Sequence, residues 1–163
     1  MAKKIILIAG ARPNFMKIAP LIKHLKNYKI IFTGQHYGKM AQDHLLPKPD
    51  YNLDLKTSDI MLIGNKIVEI LIEEKPDLVI VVGDVNSSLA GALAAWSQHI
   101  KIAHVEAGLR SFDKTMIEEN NRIEIDKLST YLFVTEPAGV LSSQTLFRED
   151  YITRCSSNHI TLC

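Results

Sequence analysis

Apolar residues in this chain fall into short unbroken runs that alternate with stretches of helical spacing. Ile5 to Ala9 is β-branched and continuously apolar, as a strand covered on both faces should be. Leu78 to Val82 and Ile100 to Val105 repeat the pattern, and Lys29 to Thr33 and Tyr131 to Val134 read as further strands. Tyr51 to Leu55 reads as a short extended segment after the break at Pro47-Lys48-Pro49. Between the runs the period changes. Phe15, Ile18, Ala19, Leu21, Ile22 and Leu25 recur at helical spacing after Gly10-Ala11-Arg12-Pro13, with Pro13 suited to the first helical position and Pro20 placed to kink the helix. A short helix is expected near Lys39 to Leu45. Ser58 or Asp59 can cap a helix that turns Ile60, Ile63, Ile67, Ile70 and Leu71 inward, and Pro76 stops its growth. Asn86 or Ser87 can cap an alanine-rich helix to about Trp96, and a further helix runs from about Ile117 to Leu128. Strand and helix alternating at this rhythm predict right-handed crossovers and an α/β, Rossmann-like, doubly wound parallel sheet.

Composition narrows the class. The 163 residues, 47% of them hydrophobic, can bury one domain core. Lys+Arg 19 against Asp+Glu 18 gives a formal net charge of +1 with no basic block, which argues against nucleic acid or a membrane surface as partner and leaves a small anion open. The apolar run after Met1-Ala2-Lys3-Lys4 is too short for a signal peptide and no stretch reaches a membrane span, so a cytoplasmic protein is expected. Cys155 and Cys163 have no metal-type spacing, and neither a zinc site nor a disulfide framework is expected. From about Val140 the chain turns polar and weakly periodic; residues 141–163 read as a divergent or truncated tail behind a domain over residues 1–140.

The candidate chemistry gathers where strands end. In a parallel sheet the loops leaving the carboxyl ends form the binding crevice, and Asp84 and Glu106 each stand just beyond an apolar run, with Glu118 and Glu119 one loop later. Asp84 could instead cap a helix, Glu106 could pair with Arg110, and Glu118 and Glu119 could be first-turn acids, with Arg122 three residues beyond Glu119. Gly10 opens a strand-to-helix turn where free N–H groups favour anions, and Arg12 and Lys17 add cations suited to a diphosphate, or simply solvated charges. The turn is neither G-x-G-x-x-G nor a Walker A loop, which argues against a nicotinamide or P-loop reading. His36 sits on a strand-end loop within reach of a ligand, whereas His104, inside a strand, reads as a satisfied core histidine.

Ala9-Gly10-Ala11-Arg12-Pro13 with Lys17, Thr33-Gly34-Gln35-His36, Val82-Gly83-Asp84, His104-Val105-Glu106-Ala107-Gly108-Leu109-Arg110-Ser111, Glu118-Glu119-Asn120-Asn121-Arg122 and Thr135-Glu136 occur in an order that resembles the non-hydrolysing UDP-N-acetylglucosamine 2-epimerases. The likeness covers about residues 4 to 140, with Ile117 standing where the family pattern has proline. It implies the N-terminal half of a two-domain, glycosyltransferase-B-type architecture with a UDP-sugar in the cleft between domains. It further implies Arg12 and Lys17 as diphosphate ligands and Asp84, Glu106 and Glu118 as catalytic carboxylates, Asp84 and Glu106 also touching substrate. The implied reaction interconverts UDP-N-acetylglucosamine and UDP-N-acetylmannosamine by elimination and readdition of UDP, for surface polysaccharides, without metal or nicotinamide cofactor. A homodimer is allowed. Because the family's second domain is expected to be absent, the chain alone is expected to have little activity. The alternatives are a noncatalytic nucleotide-sugar-binding fragment, a related UDP-diacetamido-uronate 2-epimerase, or a glycosyltransferase half.

Overall fold

The computed structural model describes residues 3–35, 48–135, 139 and 152–154, with Arg12 and residues 152–154 described by their backbone alone. The elements run β1 (Ile5–Ala9), α1 (Arg12–Ile22), β2 (Tyr28–Phe32), β3 (Tyr51–Asn52), α2 (Ile60–Glu74), β4 (Leu78–Val82), α3 (Asn86–Ser97), β5 (Lys101–Val105), α4 (Ile117–Leu128), β6 (Tyr131–Val134) and β7 (Ile152–Arg154). All paired strands are parallel, in the order β3-β2-β1-β4-β5-β6-β7. The order reverses between β1 and β4, so the loops leaving those two strands diverge and open a crevice there.

Both faces of the sheet are buried, which is why β1 and β4 are apolar at every position. Ile6 and Ile8 of β1 join Ile63, Ile67 and Leu71 of α2 and the alanines of α3 on one face. Leu7 and Ala9 join Phe15 and Ile18 of α1 on the other, where Phe15 meets Phe32 edge to face with ring centroids 5.4 Å apart. Each fully buried isoleucine or phenylalanine contributes about 1.5–3 kcal/mol relative to exposure. α3 can lie close to the sheet because Gly91 faces Ile8 and Val81; a Cβ there would stand 2.5 Å from Ile8 Cδ1. The expected Rossmann-like doubly wound sheet is thus observed.

Local expectations fared unevenly. Asp59 caps α2, accepting from the N–H groups of Met61 and Leu62. Neither Asn86 nor Ser87 caps α3: Val85 holds the cap position without a side-chain bond, and Asn86 and Ser87 lie inside the first turn, bonded to partners far along the chain. Pro13 is the second residue of α1, Pro20 lies inside the helix, and Leu25 lies beyond its end. β2 begins one residue earlier than expected and ends at Phe32, and β3 shrinks to Tyr51–Asn52. β7 pairs with β6 inside the stretch that sequence reading left without an element. The helix expected near Lys39 to Leu45 lies outside the described residues. No helix among the described residues is long and apolar enough to cross a membrane.

Candidate active site

The β1–α1 turn is built by Asn14. Its Oδ1 accepts from the N–H groups of Gly10 (3.1 Å) and Ala11 (2.9 Å), and its Nδ2 donates to the Val82 carbonyl, so one buried side chain ties the first loop to the end of β4. Beside it, Ser87 donates through its backbone N–H and its hydroxyl to Gln35 Oε1, which leaves Thr33 as the donor in the 2.6 Å contact between the Thr33 and Ser87 hydroxyls.

Across the crevice, β4 is followed by Gly83 at φ +68, and a Cβ there would stand 3.4 Å from Glu106 Oε2 and 3.9 Å from Lys17 Nζ. Those distances are ordinary van der Waals contact, so it is the left-handed backbone that favours glycine here. Asp84 follows, its carboxylate bonded to Arg122 of α4 and its carbonyl accepting from Asn121 Nδ2 at 2.8 Å. Glu106, directly after β5, adopts φ +70, a left-handed conformation that costs a non-glycine residue about 1–2 kcal/mol. Its carboxylate bonds the Lys17 ammonium of α1. Each of these two acids is therefore neutralised by a cation from a different element, within a rim open to solvent: Glu106 keeps 26% of its side-chain surface and Lys17 39%.

Behind the rim lies a buried polar layer carried by α4. Glu119 accepts from the N–H groups of Ser111 (2.9 Å) and Phe112 (3.3 Å), fixing the loop after β5. Burial would raise its pKa, but the Ser111 and Phe112 donors and the Arg110 charge outweigh this and hold the carboxyl below its usual range. Asp126, fully buried, receives His104 Nδ1 at 2.6 Å, Arg110 at 2.6 Å and the Gly108 N–H at 3.1 Å. Desolvation pushes its pKa up, and the hydrogen bonds and charges of His104 and Arg110 carry it below the ordinary value. His104 Nε2 lies 2.9 Å from the Gly83 carbonyl.

The structure thus brings Asp84, Glu106 and Lys17 to one rim. Asp84 is no helix cap. Arg110 pairs with Asp126 in place of Glu106. Arg122 does approach Glu119, at 3.6 Å, but also reaches Asp84. Glu118 is exposed in the first turn of α4. His104 is the satisfied core histidine that its position in the strand predicted. Arg12 holds the start of α1, its side chain outside the described residues along with all of His36. Sequence reading missed Asn14, Asn121 and Asp126; the signal for the last was its place on the Glu119-Arg122-Asp126 stripe, spaced three and four residues along one helix face. No group of three His, Cys, Asp or Glu side chains among the described residues could hold a metal ion.

Comparison with known proteins gives one answer. The profile of the family described as UDP-N-acetylglucosamine 2-epimerase matches residues 22–150. A UDP-N-acetylglucosamine 2-epimerase homolog of Methanococcus maripaludis is 49% identical, with 84% of this chain and 42% of that protein aligned. A Pseudomonas aeruginosa UDP-2,3-diacetamido-2,3-dideoxy-D-glucuronate 2-epimerase is 43% identical over 80% of this chain and 41% of its own length. Among solved structures, Methanocaldococcus jannaschii UDP-GlcNAc 2-epimerase in complex with UDP-GlcNAc and UDP superposes with a TM-score of 0.85 at 39% identity, covering 93% of this chain and 46% of that one. The chain spans less than half the length of these relatives. Motif order, sheet topology and the extent of the matched region agree, and the chain belongs to the UDP-N-acetylglucosamine 2-epimerase family.

Proposed function

We propose that this chain forms the carboxylate-bearing wall of a UDP-N-acetylglucosamine 2-epimerase, acting on a cytoplasmic nucleotide sugar. The observation that carries the reading is the pair of acids at the switch point, Asp84 and Glu106, each held by a cation, Arg122 and Lys17. The C2 proton of the sugar is poorly acidic, so departure of UDP from C1 leads, and positive charge develops at C1 and the ring oxygen. A carboxylate of the rim stabilises that charge and one removes the C2 proton, leaving a C1–C2 alkene and free UDP. Return of a proton to the other face of C2 and attack of the UDP oxygen at C1 restore the glycosidic bond with C2 inverted. Arg12 and Lys17 would neutralise the diphosphate as it leaves. For Lys17 this means exchanging the Glu106 carboxylate for the diphosphate, so that arrival of substrate frees Glu106. Glu118 completes the proposed trio.

UDP binding tests this reading on the chain itself. Calorimetric titration is expected to show binding that Lys17→Ala weakens about tenfold or more, the loss of one charge-assisted contact. Binding unaffected by the substitution would remove the diphosphate role of Lys17.

The uronate relative, as similar to this chain as several N-acetylglucosamine epimerases, supports a second substrate class. A panel of UDP-N-acetylglucosamine and UDP-diacetamido-uronates separates the two. A homodimer belongs to the same proposal; exposed Met61, Ile72, Leu93 and Trp96 on the neighbouring helices α2 and α3 support it, and sedimentation reads it.

A further inference from the structure

We infer that His104 is a positioning residue for Asp84, and that it acts as an imidazolium locked between Asp126 and the Gly83 carbonyl. Donors and acceptors around the ring fix its charge. The Gly83 carbonyl can only accept, so His104 Nε2, 2.9 Å away, carries a proton. Asp126 already takes the Arg110 guanidinium at 2.6 Å and the Gly108 N–H at 3.1 Å on Oδ2, an environment that holds it ionised, so the 2.6 Å contact on Oδ1 needs a proton on His104 Nδ1 as well. With both ring nitrogens donating, the ring is cationic.

The charged groups around it are accounted for on each element. α4 contributes Asp126, and the loop after β5 contributes Arg110, which meets the same carboxylate. The turn after β4 contributes the Gly83 carbonyl, while the Asp84 side chain is engaged by Arg122. His104 and Asp126 are both fully buried, so water does not compete for either bond.

The consequence falls on the turn. Gly83 donates its N–H to the Val105 carbonyl at 3.0 Å and gives its carbonyl to His104, so β5 grips this residue from both sides at φ +68. Asp84 is the next residue and inherits that grip. Asp126 in turn holds Gly108 and Arg110, two residues and four residues beyond Glu106. The buried His104–Asp126 pair therefore ties the loops that carry the two acids to each other, beside the Arg122 and Glu119 contacts from α4. This rests on the proposed roles of Asp84 and Glu106 for its catalytic meaning, but the protonation and the grip are properties of the folded chain.

Nuclear magnetic resonance on the intact chain, with 15N-labelled histidine and 13C-labelled aspartate, tests it without substrate. At pH 7 both ring nitrogens of His104 are expected at imidazolium shifts, and His104→Phe is expected to move the Asp84 side-chain carbon resonance while the exposed-site control His99→Phe leaves it in place. A neutral single-tautomer ring overturns the proposal, and so does an Asp84 resonance unchanged in a folded His104→Phe chain. Should that variant not fold, the wild-type ring shifts still decide. Loss of UDP binding in the Lys17→Ala comparison speaks only to the epimerase reading, so the two failures stay distinguishable.

Discussion

Gly83 is the residue on which the rim turns. Its φ of +68 means that Gly83→Ala strains the backbone, while the added methyl would rest in ordinary contact 3.4 Å from Glu106 Oε2. A loss of about 1–2 kcal/mol in denaturant unfolding is expected from the left-handed conformation alone. Unaltered stability would show that the turn relaxes. Glu119→Gln should cost about 1–3 kcal/mol, because the carboxylate accepts from two backbone N–H groups and the amide can offer only one oxygen. At this scale much was legible in the sequence. Asp84 and Glu106 were marked by position, since an acid just beyond a buried strand is costly unless it is paired or used. Their partners were not legible: Lys17 lies 89 residues from Glu106 and Arg122 lies 38 from Asp84, distances that only the folded topology closes. Arg110 was the nearest cation to Glu106 along the chain, yet the buried Asp126 claims it.

Among the elements, α3 and α4 do different work. α3 is the close-packing helix, and Gly91→Ala would set a methyl 2.5 Å from Ile8 Cδ1. Helix propensity favours alanine by about 1 kcal/mol, while overpacking costs about 1–3 kcal/mol. Net destabilisation is expected, read from the shift in the thermal midpoint; a rise would mean the helix can lift from the sheet. α4 is the clamp, its Glu119, Arg122 and Asp126 gripping the loops after β4 and β5. Far from the rim, Glu74 at the end of α2 collects Lys4, Lys29 and Tyr51, and the bonds from Lys29, then Lys4 and Tyr51, lower its pKa from 4.5 to about 2. A depressed folded pKa stabilises above the unfolded value and is lost as pH falls through the folded one. Unfolding free energy should therefore decline from about pH 4.5 towards pH 2, and Glu74→Gln should flatten that limb. β1 and β4 were readable because every position in them is apolar. The α3 cap was misread because Asn86 and Ser87 serve Ser58 and Gln35, partners on other elements. β7, three residues in a polar stretch, carries no periodic signal.

For the whole molecule, the parallel order with its reversal between β1 and β4 explains why one crevice gathers residues from α1, the β4 and β5 loops and α4. The relatives are more than twice as long as the matched region, and the proposed function has the Asp84–Glu106 rim work against a second wall. The most direct test is turnover of UDP-N-acetylglucosamine to UDP-N-acetylmannosamine in D2O by this exact chain, alone and with the C-terminal half of the Methanocaldococcus jannaschii relative added, with Asp84→Asn as control. Little product is expected from the chain alone, product carrying deuterium at C2 when the second half is supplied, and its loss by at least about a hundredfold in Asp84→Asn, the scale of removing one acid–base or electrostatic group. Turnover that survives Asp84→Asn, or product without deuterium at C2, would contradict the proposed function.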